Sequence, residues 1–274
     1  MKALRIFILL LLGILFFVIV VYPFTFNVSQ YRTQNPRITA MMRYRVRQWE
    51  KKGKKLTISY RFVPLSKISP YLIKAVLIAE DDKFYQHEGF DLEGLKKALE
   101  KDLKKKKFKY GGSTISQQLA KNLFLSPRKS LIRKFQEAVL TIRIEKILTK
   151  KRILELYLNI AEWGPGIFGA EASANYYFGK SANDLTPWES ALLAAVLPRP
   201  LKCSPSNPSP YIQKRAEKIL YIMKKRGIIS EEYSQVEREA EEIKKSPQQD
   251  SMFNADSSFD QNSITLTDSI KQEE

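Results

Sequence analysis

The sequence predicts a mainly α-helical domain held behind one N-terminal membrane-spanning helix. Three observations carry this. The stretch from Ile6 to Tyr22 contains no charged residue. Ser or Thr followed by Pro opens three later segments, at Ser69–Pro70, Ser126–Pro127 and Thr186–Pro187. Such pairs mark helix starts, because the hydroxyl caps a free backbone N–H and proline fits the first turn. Regular apolar–polar alternation is confined to short candidates such as Leu56 to Phe62, so few strands are expected.

At the N-terminus, the apolar run with its flanks approaches the ~20 residues that cross a bilayer core. Lys2 and Arg5 precede it, which keeps the N-terminus cytoplasmic and sends the rest across. A cleaved signal peptide is the competing reading. The run is longer than the apolar region of such peptides, and no Ala-x-Ala site follows, so an uncleaved anchor is preferred. Of 274 residues enough remain for a full core. The formal net charge of +17 favours polyanionic or membrane-surface partners. Nucleic acid is the first guess for that balance, but an exported chain does not meet chromosomal DNA, so no nucleic-acid partner is expected. A lipid head group or a lipid-linked phosphate is. One cysteine, Cys203, and one histidine, His87, exclude an intrachain disulfide and a zinc site built from those ligands alone.

Residues 23–65 read as a basic, partly aromatic connector, with Arg43, Arg45, Arg47, Trp49, Lys51, Lys52, Lys54 and Lys55; it lies against the bilayer face or forms a solvated linker. From Ser69 to about Gly227 the pattern is helical. Thr186 with Glu189 completes a capping box, and the apolar stretch Trp188 to Leu197 that it opens should be buried and end at Pro198. Tyr211 to Arg226 is a further helix, and Glu231 to Lys245 a charged one. From Gln248 the chain is rich in Ser, Asp, Asn and Gln, a composition that does not support a packed core.

Three constellations could carry chemistry. In the first, a helix from Pro70 lines up Leu72, Ile73, Val76 and Leu77, and Glu80 falls on the same face. Partial burial raises a carboxyl pKa and suits it to proton transfer; a structural ion pair is the alternative. Asp81 and Asp82 should face elsewhere, toward solvent. His87 is either a hydrogen-bonding scaffold residue or a catalyst. In the second, Gly111 and Gly112 let backbone approach a ligand, and Thr114 with Gln117 forms a capping box. The helix N-terminus so formed favours an anion. Ile115, Leu119 and Leu123 make its buried stripe; Thr114, Gln118 and Lys121 share another face, a row of donors ending in an ammonium. A plain capped surface helix is the alternative. In the third, Arg128, Arg133 and Lys134 supply positive charge and Leu131, Phe135, Ala138 and Ile142 an apolar stripe, with Glu137 four residues after Arg133; Arg133 and Glu137 could be a simple i,i+4 pair. Together, one carboxylate could take a proton from a sugar hydroxyl while cations hold a departing pyrophosphate, whose charge grows as its bond breaks. No protonated leaving group is then needed, unlike glycoside hydrolysis.

Five ordered segments carry a resemblance: EDDKFYQHEGFD from Glu80, GGSTISQQLAKNLFL from Gly111, RKFQEAVLTIRIE from Arg133, ILELYLNIAEWGPGIFGAEASANYYFG from Ile153 and LTPWESALLAAVLPRP from Leu185. Over about residues 58–225 the chain resembles glycosyltransferase family 51, the peptidoglycan glycosyltransferases, and among them the monofunctional members. The resemblance implies a lysozyme-like, mainly helical fold with a small membrane-facing lobe. It divides the chain into an anchor (1–25), a juxtamembrane connector (26–57), the glycosyltransferase domain (58–228) and a charged helix with a tail (229–274). Past Arg226 too little sequence remains for the transpeptidase of bifunctional relatives. Ser126-Pro127-Arg128-Lys129 fits Ser-x-x-Lys, but no Lys-Thr-Gly follows.

The implied reaction polymerises lipid II into β-1,4 glycan strands with inversion, releasing undecaprenyl pyrophosphate. Glu80 matches the general base and Glu137 the second family glutamate. Lys121, Arg128, Arg133 and Lys134 match positions that handle pyrophosphate, and Ser113, Gln117, Gln118 and Asn122 fall in the same loop–helix motif. Asp81, Phe84, His87, Gly89, Asp91, Gly111, Gly112, Thr114, Tyr157 and Asn159 match the motif scaffold. No cofactor is obligatory; a divalent cation, Mg or Mn, can assist through the pyrophosphate, and no dedicated metal site is expected. The implied partners are lipid II, the growing lipid-linked chain, the membrane and other cell wall synthases. The implied location is the bacterial inner membrane, crossed once, with the catalytic domain outside. The strongly basic Lys101 to Lys109 departs from the family pattern; it draws anionic lipid or is a solvated loop. Two rivals remain. One is a lytic enzyme of lysozyme-like fold, which would have no pyrophosphate to hold. The other is a non-enzymatic basic module.

Overall fold

The computed structural model describes residues 2–55, 57–96, 100, 112–127 and 130–230. The tail, the Glu231–Lys245 helix, Lys101 to Lys109, Gly111 and Arg128 lie outside the described residues. Helix α1 (Lys2–Phe16) continues as a π-helical stretch (Phe17–Val21) and a 3₁₀ turn (Tyr22–Thr25). The apolar span Leu4–Thr25 covers 22 residues, and its most apolar 18-residue stretch has no residue buried inside the protein, which is what a segment solvated by lipid requires.

Helix α2 (Ala40–Glu50) follows, its N-terminus capped by Thr39, whose Oγ1 accepts the Met42 N–H at 3.2 Å. Met41, Met42 and Val46 bury against Ile58 and Phe168. The basic connector is therefore folded onto the body through α2, so a solvated free linker does not describe it. Only Ser59–Tyr60 of the predicted strand forms one, β1. It runs parallel to β3 (Ile167–Phe168), which pairs antiparallel with β2 (Glu162–Gly164), giving the order β1-β3-β2.

The body is helical: α3 (Pro70–Glu80), α4 (Ile115–Phe124), α5 (Leu131–Ile147), α6 (Lys150–Ile160), α7 (Ala170–Phe178), α8 (Pro187–Val196) and α9 (Pro210–Lys225). Helix α8, almost wholly buried, packs against both α3 and α9; α4 packs on α5 and α6. Ser69 caps α3, and the capping boxes of Thr114 with Gln117 and Thr186 with Glu189 both form.

One expected helix start is not found. No helix starts at Ser126–Pro127; α5 begins after Ser130, and Arg133 takes the Ser126 carbonyl at 2.8 Å and also meets its hydroxyl. The apolar stripe of Leu131, Phe135 and Ile142 faces outward: these side chains are 81, 58 and 45% exposed, and α5 buries Gln136, Glu137, Leu140, Thr141 and Ile144. The reason lies in its neighbours. Gln136 Nε2 donates to the Val18 carbonyl at 2.9 Å, and the Arg143 guanidinium donates to the Pro23 carbonyl and stacks 4.7 Å over Phe24. Helix α5 is thus joined to the root of the anchor, and beside a bilayer an apolar row need not be covered by protein.

Candidate active site

Glu80 ends α3, directly after the buried row of Leu72, Val76 and Leu77. Its side chain is 12% exposed. Oε2 accepts from Gln118 Nε2 at 2.9 Å, while Gln118 Oε1 accepts from the Tyr157 hydroxyl at 3.1 Å. That pair of bonds sets the orientation of the amide: its oxygen faces the phenol, its nitrogen the carboxylate. Oε1 lies 3.5 Å from Arg215 Nη2. Burial pushes the Glu80 carboxyl above the usual carboxylate range; Gln118, Arg215 and Lys121 pull against that, and Asp81 adds to it. A carboxylate raised by desolvation but kept ionisable by nearby donors is what a general base requires.

Asp82 faces solvent as expected and pairs with Arg226, which holds its carboxyl below the usual range. Asp81 does not. It is buried; Oδ2 accepts the Ile115 N–H at 2.9 Å and Oδ1 meets His87 Nε2 at 2.9 Å. The Gly89 N–H donates to His87 Nδ1 at 3.1 Å, so the ring proton sits on Nε2 and points at Asp81. Thr114 Oγ1 donates to the Gly89 carbonyl at 2.6 Å. The structure thus gives His87 the scaffold role. It also corrects the anion expected at the N-terminus of α4: the protein's own Asp81 takes that place. Thr114 and Gln117 are buried and bond to each other, Gln117 Oε1 accepting the Thr114 N–H at 2.9 Å; Thr114 borders the cavity beside Glu80 with its hydroxyl already given to Gly89, and Gln117 lines neither cavity of the site.

Beside Glu80 lies a cavity of about 180 Å³, lined also by Asp82, Asp91, Gly112 and Ser113. A second, of about 380 Å³, is lined by Ser113, Lys121, Arg133, Lys134 and Glu137. Ser113 borders both, so the two cavities lie side by side. Glu137 is buried and pairs with Lys134, three residues before it, so the expected Arg133 partnership is not formed. Lys134 Nζ also donates to Ser113 Oγ at 3.3 Å. Burial pulls the Lys121 ammonium down; Glu137 and Glu80 oppose this, and Lys134 and Arg45 reinforce it. Lys121 therefore sits within electrostatic reach of both glutamates. Among the described residues, no three His, Cys, Asp or Glu side chains gather to hold a metal ion.

The remaining motif residues hold the frame. Phe84 is fully buried, with Lys150 Nζ 4.6 Å over its ring. Asp91 Oδ1 accepts the Gly94 N–H at 2.8 Å. Gly89 has φ +95°, and a Cβ there would meet Thr141 Cγ2 at 2.8 Å. Asn159, buried, clamps the backbone of Val63 through both its amide atoms. Asn122 is buried and lines neither cavity. Two residues beyond the motifs join the site. Arg215 reaches Glu80 from α9, where it interrupts the buried row of Ile212, Ala216 and Ile219; a cation inside an apolar stripe was the available signal. Arg45, on α2, is held by Glu162 through a buried bidentate pair at 2.7–2.9 Å.

The transglycosylase family model matches residues 50–224, which takes in the side chains named above except Arg45 and Arg226. The chain belongs to the transglycosylase family. Among relatives of this transglycosylase, a protein of Nitrosospira multiformis named biosynthetic peptidoglycan transglycosylase is 44% identical over 210 residues, covering 75% of this chain and 91% of the relative. One of the same name from Azoarcus sp. is 52% identical over 176 residues (64% and 76%). Another, from Janthinobacterium sp., is 40% identical over 225 residues (81% and 97%). The transglycosylase domain has the lysozyme-like glycosyltransferase fold expected from the sequence.

Proposed function

We propose that this transglycosylase polymerises lipid II into β-1,4 glycan strands during cell wall synthesis, on the outer face of the bacterial inner membrane. The observation that supports the reading is the adjacency of two cavities across Ser113: a desolvated Glu80 lines one, and Lys121, Arg133, Lys134 and Glu137 line the other. Glu80 takes the proton from the acceptor sugar's 4-hydroxyl as that oxygen attacks the donor's anomeric carbon. The bond from that carbon to pyrophosphate breaks with its electron pair, the carbon inverts, and undecaprenyl pyrophosphate departs as an anion. Lys121, Arg133 and Lys134 offset the charge growing on it. Glu137 holds Lys134 in place beside Ser113. Other cell wall synthases would meet the enzyme in the same membrane.

The test is polymerisation of labelled lipid II by purified full-length protein. Glu80→Gln keeps the hydrogen-bonding shape and removes the base; chain growth should fall by at least the ~10²-fold that a positioned base contributes. Full activity in that variant refutes the assignment. Release of soluble muropeptides from cell wall without consumption of lipid II would replace this reading with a lytic one.

A further inference from the structure

Glu145, near the C-terminal end of α5, takes no part in the transfer itself, yet its side chain is only 9% exposed. Ser116 Oγ donates to Glu145 Oε1 from the first turn of α4, where Ser116 is fully buried. Lys150 Nζ, at the start of α6, donates to the same oxygen at 2.8 Å and supplies the counter-charge that a buried carboxylate needs. Lys150 in turn sits 4.6 Å over the ring of Phe84. The backbone at Gly89 closes in from another side: a Cβ there would lie 3.1 Å from Glu145 Cγ. Glu145 therefore has little room to turn away from Ser116.

Glu137, Thr141 and Glu145 stand at i, i+4 and i+8, on one buried face of α5. At one end of that face Glu145 holds Ser116; at the other Glu137 lines a cavity together with Lys121. Along α4 the order is reversed, Ser116 before Lys121, so the two helices run antiparallel. Their apolar contact draws on Ile115, Leu119 and Leu123 of α4 and Leu140 and Ile144 of α5, all in one core. Such contact is non-directional and does not by itself choose the register. A hydrogen bond to a carboxylate does. Asp81 holds the same turn of α4 against α3, and Glu145 holds it against α5. A slip of one helical turn would carry Lys121 about 5.4 Å along its neighbour.

We propose that Glu145 is a positioning residue for the active site: its hold on Ser116 sets the register of α4 on α5 that keeps Lys121 facing Glu137. The proposal deepens the transferase reading and rests on it for its kinetic readout.

Glu145→Ala would also unpair Lys150 and so test the fold as much as the register; the deciding variants are therefore at Ser116. Ser116→Ala removes the hydroxyl and leaves the Glu145–Lys150 pair intact. Each full-length protein is assayed for polymerisation of labelled lipid II. A misplacement of about 1 Å can cost about 10²-fold in rate, so Ser116→Ala should lose at least about tenfold in kcat. KM should change little, because the lost contact acts on the transition state. Thr carries the same hydroxyl donor, so Ser116→Thr should stay within about threefold of wild type. Register is read apart from activity, in full-length protein carrying Cys203→Ser, Lys121→Cys and Glu137→Cys. A short bis-maleimide should join the two new thiols, since both positions line one cavity, and adding Ser116→Ala should cut the yield severalfold. Wild-type kcat in Ser116→Ala protein, or unchanged cross-linking, overturns the proposal. If wild-type protein makes no polymer, the transferase reading falls, and the cross-linking yield still decides the register.

Discussion

Replacing Asp81 by Asn removes one charge and keeps the shape, and its cost follows from the hydrogen bonds. The carboxylate accepts from two donors, the Ile115 N–H and His87 Nε2–H, each at 2.9 Å. His87 cannot switch tautomer, because Nδ1 already accepts from Gly89. An asparagine offers its one oxygen to one of the donors and turns an NH₂ toward the other. One buried donor is then unsatisfied, which costs about 1–3 kcal/mol. Helix α4 also loses the negative charge at its N-terminus, about 0.3–1 kcal/mol more. In a domain of this size each kcal/mol lowers Tm by roughly 2–4 °C, so Asp81→Asn should melt about 3–15 °C below wild type in differential scanning calorimetry. Helix α4 carries Gln118 and Lys121, so polymerisation of lipid II should fall with it. An unchanged Tm together with full activity would show that Asp81 does not hold α4, and the account of the α4 N-terminus would be wrong.

Arg215→Ala removes a cation 3.5 Å from Glu80, a contact worth about 1 kcal/mol in water-like surroundings and about 4 at an effective dielectric of 20. Burial already holds the Glu80 carboxyl high and Arg215 opposes it, so the variant's carboxyl moves higher still. The base form exists above that pKa and is lost as pH falls through it; the acid limb of the pH–rate profile should therefore shift upward, with activity on the old limb reduced by about tenfold or more. An unmoved limb would separate Arg215 from Glu80. Tyr157→Phe leaves Gln118 Oε1 without its donor; a few-fold fall in kcat with little change in KM is expected, at a stability cost of about 0.5–1.5 kcal/mol. Gly89→Ala forces φ +95° on a side-chain residue and drives its Cβ to 2.8 Å from Thr141; about 1–3 kcal/mol of backbone strain comes before the overlap, and a variant that melts like wild type would contradict it.

Local signals in the sequence were read well where one helix settles its own ends. The caps at Ser69, Thr114 and Thr186 need only a hydroxyl and a nearby N–H, and the burial of Glu80 follows from its place after Leu72 and Val76. Readings failed where the deciding partner is distant. The neighbours of Asp81 are His87 and, 34 residues on, Ile115; nothing around Asp81 distinguishes it from the solvated Asp82. The outward stripe of α5 is a true apolar periodicity, but periodicity does not say whether protein or lipid covers it. Arg215 meets Glu80 from 135 positions further along the chain. The basic connector could pass for a solvated linker because its charges are countable in sequence, whereas the burial of Met41, Met42 and Val46 beneath them is a matter of packing.

The bonds from Gln136 to Val18 and from Arg143 to Pro23 tie the helix that bears Glu137 to the membrane stem. A catalytic domain on a slack leash would sample many altitudes above the bilayer and many tilts. This one is bolted at a single elevation. For reactants whose tails are confined to one leaflet, the encounter then becomes a search in two dimensions, and the finished polymer, not the enzyme, has to travel.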